Sequence, residues 1–330
     1  MEGARKLTGR SRAALVGLAA ALVLCAAALM LAPEKAYAYG FKQTAATKDS
    51  ATIAWEDPNA GSSFSTTTGY TVQWGEEYGK VTKSVTLPAT QKSFTFTGLK
   101  PGTKYYAKVT YAYTTPSGSY DSYVGSDEFA SRVVTPTGVK QAKWWYYAKS
   151  VDFTWDKQEA ADKVEYKVCK ASNGKTFAKG SATYPSQEFN VSKVKNNVMY
   201  TVQMRVHDQW GWSDWSKKAY LFTQPMANAK KTKVKGNKLT VTWGKISGAT
   251  SYSVYVSTKE KKGYKKLATV SSKKNTVTLK KLKGKKFSPK KTYYVYVVAN
   301  KKVGKTTYTS GRHYTYKVKG TKGQLRWTFD

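Results

Sequence analysis

The chain has 330 residues, of which 40% are hydrophobic and 23% charged, and its 56 Lys and Arg against 20 Asp and Glu give a formal net charge of +36. This length predicts several domains, each large enough to build its own core. With two cysteines and two histidines, the sequence excludes a disulfide-stapled scaffold and shows no spacing typical of a Cys/His metal site.

The first 38 residues have the pattern of a secretory signal peptide. A basic segment precedes an apolar run at 13–32, and Ala36-Tyr37-Ala38 offers small residues at the two positions that signal peptidase reads. We therefore predict cleavage after Ala38 and export. The alternative is an uncleaved membrane anchor, since the run is about long enough to span a bilayer. Only Cys169 remains after cleavage, which agrees with export by a bacterium that makes little use of disulfides.

Beyond the signal peptide, one unit is repeated three times. In each copy short segments alternate between apolar and polar residues, one such segment ends in Trp, and a later one begins with Tyr. The pairs are Trp55 and Tyr105, Trp155 and Tyr200, and Trp243 and Tyr293. Trp and Tyr are separated by 50, 45 and 50 residues, and the three Tyr lie 95 and 93 residues apart. Roughly seven strands in about 90–100 residues predict a β-sandwich.

We place the three repeats at 39–136, 137–225 and 226–319, followed by a short tail at 320–330. Alternating side chains put one face of each strand on a core and the other in water. The Trp at the end of the second strand is expected to fill the space between the two sheets. The fold class is therefore predicted as all-β, with three tandem sandwiches.

The turn before Tyr105 resembles that of the fibronectin type III domain. It reads Leu-Lys-Pro-Gly-Thr-Lys-Tyr from Leu99, and the third strand of each repeat also holds a Tyr: Tyr70, Tyr166 and Tyr252. The resemblance covers nearly the whole mature chain. It implies an immunoglobulin-like sandwich in which the later Tyr bonds back to the backbone as a tyrosine corner.

The other two copies of this turn depart from the first. The second repeat has Val194 where the first has Leu, and Asn196-Asn197 replaces Pro-Gly. The third offers Leu282 and Phe287, and we favour Phe287 because its spacing to the Tyr matches.

A second motif, Trp212-Ser213-Asp214-Trp215-Ser216, precedes the last strand of the second repeat. It resembles the Trp-Ser-x-Trp-Ser box of the membrane-proximal fibronectin type III domain in class I cytokine receptors. That resemblance implies a packing device in which Trp212 and Trp215 stack with cations of the neighbouring strand, where Arg205 supplies one rung and Gln203 occupies the alternate position. No cytokine-receptor function is implied, because the paired cysteines are missing.

An aromatic run, Lys143-Trp144-Trp145-Tyr146-Tyr147, opens the second repeat. In a strand, Trp145 and Tyr147 face the same way and the other two aromatic residues face the opposite way. One pair is expected in the core. The other pair covers the junction with the first repeat or binds a sugar or protein ligand, so Trp145 and Tyr147 are candidate ligand-binding residues.

Positive charge is concentrated in the third repeat and its tail. Lys and Arg outnumber Asp and Glu by 9 to 8 at 39–136, by 14 to 8 at 137–225, and by 28 to 2 at 226–330. Paired lysines in turns or outward strand positions are candidate ligand-binding residues: Lys261, Lys262, Lys265, Lys266, Lys285 and Lys286. We expect attraction to an anionic cell-wall or surface polymer. The alternative is that the lysines keep the protein soluble and protect its sheet edges. Export and scarce Arg argue against nucleic acid as the partner.

Catalytic motifs are missing from the sequence. His207 and His313 lie in different repeats without a nearby Cys or carboxylate pair, and no nucleophile elbow or phosphate-binding loop is present. We therefore expect no catalytic residue, cofactor or metal, and predict a non-enzymatic secreted or cell-surface adhesion protein. The alternatives are a carbohydrate-binding accessory protein of a glycan-degrading system and a passive structural spacer.

Overall fold

The computed structural model describes residues 40–145, 147–183 and 188–327, and the regular elements in these ranges are β-strands. The predicted signal peptide at 1–38 lies outside the described residues. Within the described ranges, no helix is long and apolar enough to cross a membrane. Contacts divide the chain between Val133 and Val134 into two compact units. The first unit holds the first repeat, and the second unit holds the other two.

The first repeat is a sandwich of seven strands. They are β1 (Phe41–Ala46), β2 (Ser50–Trp55), β3 (Thr66–Gly75), β4 (Lys83–Pro88), β5 (Ser93–Thr97), β6 (Lys104–Thr115) and β7 (Gly118–Ala130). One sheet has the order β1-β2-β5 and the other β4-β3-β6-β7, and the paired strands are antiparallel. Alternate residues such as Ile53, Val72 and Val109 are fully buried between the sheets, as the period-2 pattern predicts.

The second repeat has the same two-sheet arrangement. Its strands are β8 (Lys140–Trp145), β9 (Ser150–Thr154), β10 (Lys163–Lys170), β11 (Thr176–Thr183), β12 (Glu188–Val191), β13 (Met199–Asp208), β14 (Gly211–Trp212) and β15 (Ala219–Phe222). Strands β12-β9-β8 form one sheet, and β11-β10-β13 form the other, in which β14 and β15 both pair with β13.

The third repeat adds a strand at its carboxyl end. Its strands are β16 (Lys233–Lys235), β17 (Lys238–Thr242), β18 (Ser251–Ser257), β19 (Lys265–Ser271), β20 (Thr276–Leu279), β21 (Lys281–Leu282), β22 (Lys285–Lys286), β23 (Thr292–Val303), β24 (Thr306–Thr309), β25 (Tyr314–Lys319) and β26 (Lys322–Trp327). Strands β16-β17-β20 face a sheet of order β19-β18-β23-β25-β26, and β24 pairs with β23. Strand β26 belongs to the segment predicted as a short tail at 320–330. It pairs with β25 through a two-residue turn in which Gly320 has a positive φ of 55°, the geometry that short hairpins favour.

The second and third repeats share buried contacts. Met199 and Phe222 of the second repeat belong to the same hydrophobic cluster as Trp243 and the core of the third. The Gln224 side chain is 3% exposed. Its oxygen accepts hydrogen bonds from the backbone N–H groups of His313 at 2.7 Å and Tyr314 at 2.8 Å, and its amide donates to the carbonyl of Tyr314 at 2.9 Å. A buried amide with such bonds fixes the two repeats against each other.

Candidate binding surface

A buried Trp and a bonded Tyr form the frame of each repeat. The three Trp are 5%, 9% and 1% exposed: Trp55, Trp155 and Trp243. In each repeat the Tyr hydroxyl accepts a hydrogen bond from the backbone N–H five residues upstream, at 2.7, 3.0 and 3.0 Å: Tyr105 from Lys100, Tyr200 from Lys195, and Tyr293 from Ser288. In the third repeat, Phe287 is 1% exposed and packs edge-on to Tyr293 with ring centroids 5.0 Å apart. These tyrosine corners fix the strands whose outer faces carry the candidate binding residues.

On the outer face of the second repeat, Arg205 lies between the two Trp of the Trp-Ser-Asp-Trp-Ser motif. Its guanidinium carbon is 4.4 Å from the Trp212 ring centroid and 4.9 Å from that of Trp215. The ammonium of Lys167 lies 5.0 Å from the Trp215 ring centroid. Glu165 binds the guanidinium at 2.7 and 2.8 Å. Together these side chains form a ladder of alternating cations and aromatic rings.

The two serines of the motif attach this ladder to β13. The Ser216 hydroxyl accepts the backbone N–H of Met204 at 3.0 Å, and the Ser213 hydroxyl accepts that of Val206 at 3.1 Å. Each serine N–H in turn donates to the carbonyl of the same strand residue, at 2.7 and 2.8 Å. The motif therefore acts as a side-chain and backbone extension of the sheet, and its hydroxyls are engaged within the protein.

Sequence reasoning missed two members of this ladder. Lys167 comes from β10, where it lies opposite Gln203 in register, so its proximity to Trp215 depends on strand pairing. His207 stacks edge-on with Trp212 at 4.9 Å and shares a 2.8 Å hydrogen bond with Asp162. The alternation of outward residues along β13 could have suggested His207, whereas Lys167 required the register of two strands far apart in sequence.

The outer face of the third repeat carries a different stack of cation and rings. Tyr255 and Tyr296 lie nearly parallel, with centroids 4.6 Å apart and planes inclined by 7°. Tyr264 packs edge-on to Tyr296 at 4.9 Å. The Arg312 guanidinium lies 4.5 Å from the Tyr264 centroid and 5.5 Å from that of Tyr296. It also donates to the carbonyls of Glu260 and Lys261, each at 3.2 Å, which ties the β18–β19 turn to this stack.

Burial raises the pKa of both Tyr264 and Tyr296 to about 12. The phenolate form is disfavoured because these hydroxyls are removed from water, and the nearby Arg312 charge offsets only part of that penalty. The two rings therefore stay neutral at physiological pH and act as aromatic surfaces.

The turns at one end of the third repeat form a surface that we call the lysine pole. Strand β18 ends where β23 begins, with Ser257 opposite Tyr294, and β25 ends opposite the start of β23. The β18–β19 turn, the β21–β22 hairpin and the β25–β26 turn therefore lie at the same end. The backbone N–H of Val234 in β16 donates to Gly320 there at 2.7 Å, which adds the β16–β17 turn.

Fifteen exposed lysines lie on these turns and the strand ends that flank them: Lys235, Lys238, Lys259, Lys261, Lys262, Lys265, Lys280, Lys281, Lys283, Lys285, Lys286, Lys290, Lys291, Lys319 and Lys322. Lys266 follows directly in β19. In the described part of the third repeat, no lysine lies in an ion pair, and Glu260 is the one acidic residue. The six lysines singled out by the sequence thus lie together in an uncompensated positive field.

The lysine pole lies at the end of the third repeat that is remote from the second repeat. At the opposite end, the backbone N–H of Ser247 donates to Asn197 at 3.3 Å, and the Tyr308 hydroxyl donates to the carbonyl of Lys218 at 3.1 Å. Because the junction occupies that end, the turns of the lysine pole do not take part in it.

The aromatic run of the second repeat separates into buried and exposed members. Trp144 is 2% exposed and packs edge-on to Tyr314 of the third repeat at 5.4 Å. Trp145 is 37% exposed, its indole N–H donates to Asp152, and the Lys143 ammonium lies 4.0 Å from its ring. Tyr147 is 66% exposed and follows the end of β8, in a turn. Tyr146 lies outside the described residues.

In the described ranges, the two histidines lie in separate surroundings and neither belongs to a metal-binding cluster. No group of three or more His, Cys, Asp or Glu could hold a metal ion there. His207 belongs to the ladder of the second repeat, and His313 lies at the junction of the second and third repeats.

Comparison with known proteins identifies the fold of the first repeat. The model of the fibronectin type III domain matches residues 32–124. Among solved structures, the chain is similar to the chicken CNTN1 FN1-FN3 domains at 12% identity and a TM-score of 0.32, covering 88% of this chain and 98% of that one. It is also similar to a two-domain fibronectin type III segment of chicken tenascin, at 16% identity and a TM-score of 0.31, covering 56% and 98%. No curated protein sequence matches the chain.

Proposed function

We propose that this chain, a fibronectin type III domain protein with an all-β fold, is an exported, non-enzymatic binding protein whose lysine pole tethers it to an anionic cell-wall or surface polymer. Fibronectin type III domains are commonly adhesion, binding or spacer modules and are generally non-catalytic.

The observation that supports the tether is the unpaired positive charge of the lysine pole. A folded domain needs few lysines for solubility, and fifteen on the turns of one end exceed that need. Lysine ammonium groups act as mobile point charges, which suits diffuse attraction to a flexible polyanion. Base-specific recognition of nucleic acid relies on bidentate Arg, and the third repeat has only Arg312 and Arg326.

Retention on isolated Gram-positive cell walls across a salt series tests this function. The protein used is residues 39–330, and six lysines of the lysine pole and its flank are replaced by Gln: Lys261, Lys262, Lys265, Lys266, Lys285 and Lys286. We expect an affinity loss of at least about tenfold at physiological salt and a shallower salt dependence, because fewer counterions are released.

A control variant removes the same charge from exposed lysines of the first two repeats: Lys48, Lys92, Lys175, Lys179, Lys195 and Lys217. It should retain most of the binding. Equal losses in the two variants would show that only net charge matters and would overturn a tether located in the third repeat.

A carbohydrate-binding accessory role is the second candidate, and the exposed rings of Trp145 and Tyr147 favour it. In that case the protein binds neutral polysaccharide, high salt does not release it, and Trp145→Ala removes the binding. A passive spacer predicts no retention on either material.

A further inference from the structure

A groove crosses the outer face of the third repeat beside the tyrosine and arginine stack. It has a volume of about 740 Å³, within the range of ligand sites. Its lining combines hydroxyl, amide, aromatic and ammonium groups from β18, β19, β23 and β24: Thr250, Ser251, Ser253, Tyr255, Lys266, Thr269, Asn300, Lys302, Gly304 and Thr307. No carboxylate lines it, and Tyr255 is its one aromatic side chain.

The groove has a cation near each end. At one end Lys266 lies opposite Tyr255, and Tyr255 lies opposite Tyr296 of β23. Lys302 lies six residues further along β23 than Tyr296, which is about 20 Å at about 3.3 Å per residue. This length exceeds a single small ligand and suits an extended chain with anionic groups at intervals.

Hydrogen bonds hold the floor between the two cations. The Asn300 amide donates to the hydroxyls of Ser251 at 3.2 Å and Ser253 at 3.0 Å. The Thr250 hydroxyl donates to the carbonyl of Asn300 at 3.0 Å and accepts the backbone N–H of Lys302 at 3.0 Å. Hydroxyls fixed in this way can exchange hydrogen bonds with the hydroxyls of a ligand at little cost in side-chain entropy.

Tyr255 forms one wall of the groove and cannot easily rotate. One face of its ring is stacked on Tyr296, which is itself held by Tyr264 and Arg312. The ring can therefore present an apolar surface to the carbon backbone of a sugar or polyol. Lys266 adds a charge immediately beside that surface.

We propose that this groove binds an extended segment of a polymer whose units carry both hydroxyl and phosphate groups. The inference rests on the proposed tether and assigns a specific binding site to the polymer. The lysine pole attracts the polyanion, and the groove, which begins next to Lys266 at that pole, receives one segment. Phosphates bind at Lys266 and Lys302, and the polyol or sugar hydroxyls bind the floor between them.

The test compares two double variants of residues 39–330 with equal charge. Lys266→Gln with Lys302→Gln removes the groove cations, and Lys285→Gln with Lys286→Gln removes two exposed lysines from the β21–β22 hairpin. The probes are poly(glycerol phosphate), inorganic polyphosphate and dextran sulfate at matched concentrations of anionic groups. We expect the unaltered protein to bind poly(glycerol phosphate) more tightly. The groove variant should lose at least tenfold of that affinity, whereas the hairpin variant should lose less than threefold.

Three results would overturn the groove. Equal losses of affinity in the two variants would leave the tether of the third repeat intact and show that the groove is not a specific binding site. Tighter binding of dextran sulfate than of poly(glycerol phosphate), with the same sensitivity to the groove variant, would assign the groove to sulfated glycans instead. Failure of the unaltered protein to bind any of these polymers would overturn the tether together with the groove.

A single charge placed in the floor gives an independent measurement. Asn300→Asp replaces the amide that donates to Ser251 and Ser253 with a carboxylate, to which both serine hydroxyls can donate instead. It also puts a negative charge between the phosphate positions. Asn237→Asp makes the same change in the exposed β16–β17 turn. Asn300→Asp should weaken poly(glycerol phosphate) binding at least fivefold more than Asn237→Asp does. Equal effects would contradict the proposal.

Discussion

The outer sheet faces of the second and third repeats exchange the positions of cation and aromatic ring. In the second repeat the strand β13 supplies the cation, Arg205, and the segment before β15 supplies the rings, Trp212 and Trp215. In the third repeat β23 supplies a ring, Tyr296, and the segment before β25 supplies the cation, Arg312.

A shared backbone device makes this comparison possible. The Ser213 hydroxyl accepts a hydrogen bond from the backbone N–H of Val206, and the Ser213 N–H donates to the Val206 carbonyl. Ser310 makes the same two hydrogen bonds with Ala299, each at 3.1 Å. Val206 and Ala299 each lie six residues after the corner Tyr of their repeat. Trp215 and Arg312 each lie two residues after the serine, so they occupy equivalent places. Both repeats therefore have a cation beside a ring at this place, although different strands supply the two partners.

The largest expected effect on stability comes from removing the central cation of each face, Arg205 or Arg312. Arg205→Ala abolishes contacts with two Trp and an ion pair with Glu165, and we expect a loss of about 2–3 kcal/mol in the free energy of unfolding. Arg312→Ala abolishes contacts with two Tyr and two hydrogen bonds, and should cost about 2 kcal/mol.

Urea unfolding of residues 39–330, followed by Trp fluorescence, measures both losses. Because the second and third repeats share a core, each variant should shift the joint transition of the two repeats and leave that of the first unchanged. Arg205→Lys keeps the charge without the planar stacking. Full recovery by Lys would show that charge alone stabilises the ladder.

A smaller effect is expected from the serines that anchor each segment. Ser216→Ala leaves the buried N–H of Met204 without its hydroxyl acceptor, and Ser310→Ala does the same to Ala299. Each should cost about 1–2 kcal/mol, the penalty for an unsatisfied buried donor. Faster amide hydrogen exchange at Met204 and Ala299 is the direct readout. Ser213→Ala, at a more exposed hydroxyl, serves as the comparison and should cost less.

The sequence predicted the shared frame better than the faces built on it. The Trp and Tyr spacings recur because the sandwich core and the corner need these side chains at fixed distances along the chain, and Tyr105, Tyr200 and Tyr293 lie as that reasoning expects. The stack of Tyr255, Tyr264 and Arg312 was not predicted. Its members lie on separate strands and turns, and no local spacing encodes their contact.

The same limit applies to the candidate site. Clusters such as Lys261-Lys262 are visible in the sequence, but their convergence at one pole depends on strand direction and register. The groove has no local signal, since Lys266 and Lys302 belong to strands separated by β18.

The smallest expected effect is a loss of stability at alkaline pH, which comes from the tyrosines on the outer face of the third repeat. The pKa of Tyr264 and Tyr296 is raised to about 12 by burial, against an ordinary value of 10. A raised pKa in the folded state means that the unfolded chain loses these protons first. The contribution is therefore fully present below pH 10 and is lost as the pH rises toward 12. Trp212 and Trp215 do not ionise, so the aromatic rings of the second repeat add no such dependence.

Comparing the free energy of unfolding at pH 9 and pH 11 in Tyr296→Phe measures the contribution of Tyr296 to this loss of stability. The variant should lose less stability over that interval than the unaltered protein, and absorbance near 295 nm should show fewer late-ionising tyrosines. Tyr120→Phe, which removes the hydroxyl of a tyrosine that is 46% exposed in the first repeat, is the matched control. If the two variants behave alike, the Tyr296 hydroxyl is not withheld from water, and the third repeat's stack is looser than the ladder of the second.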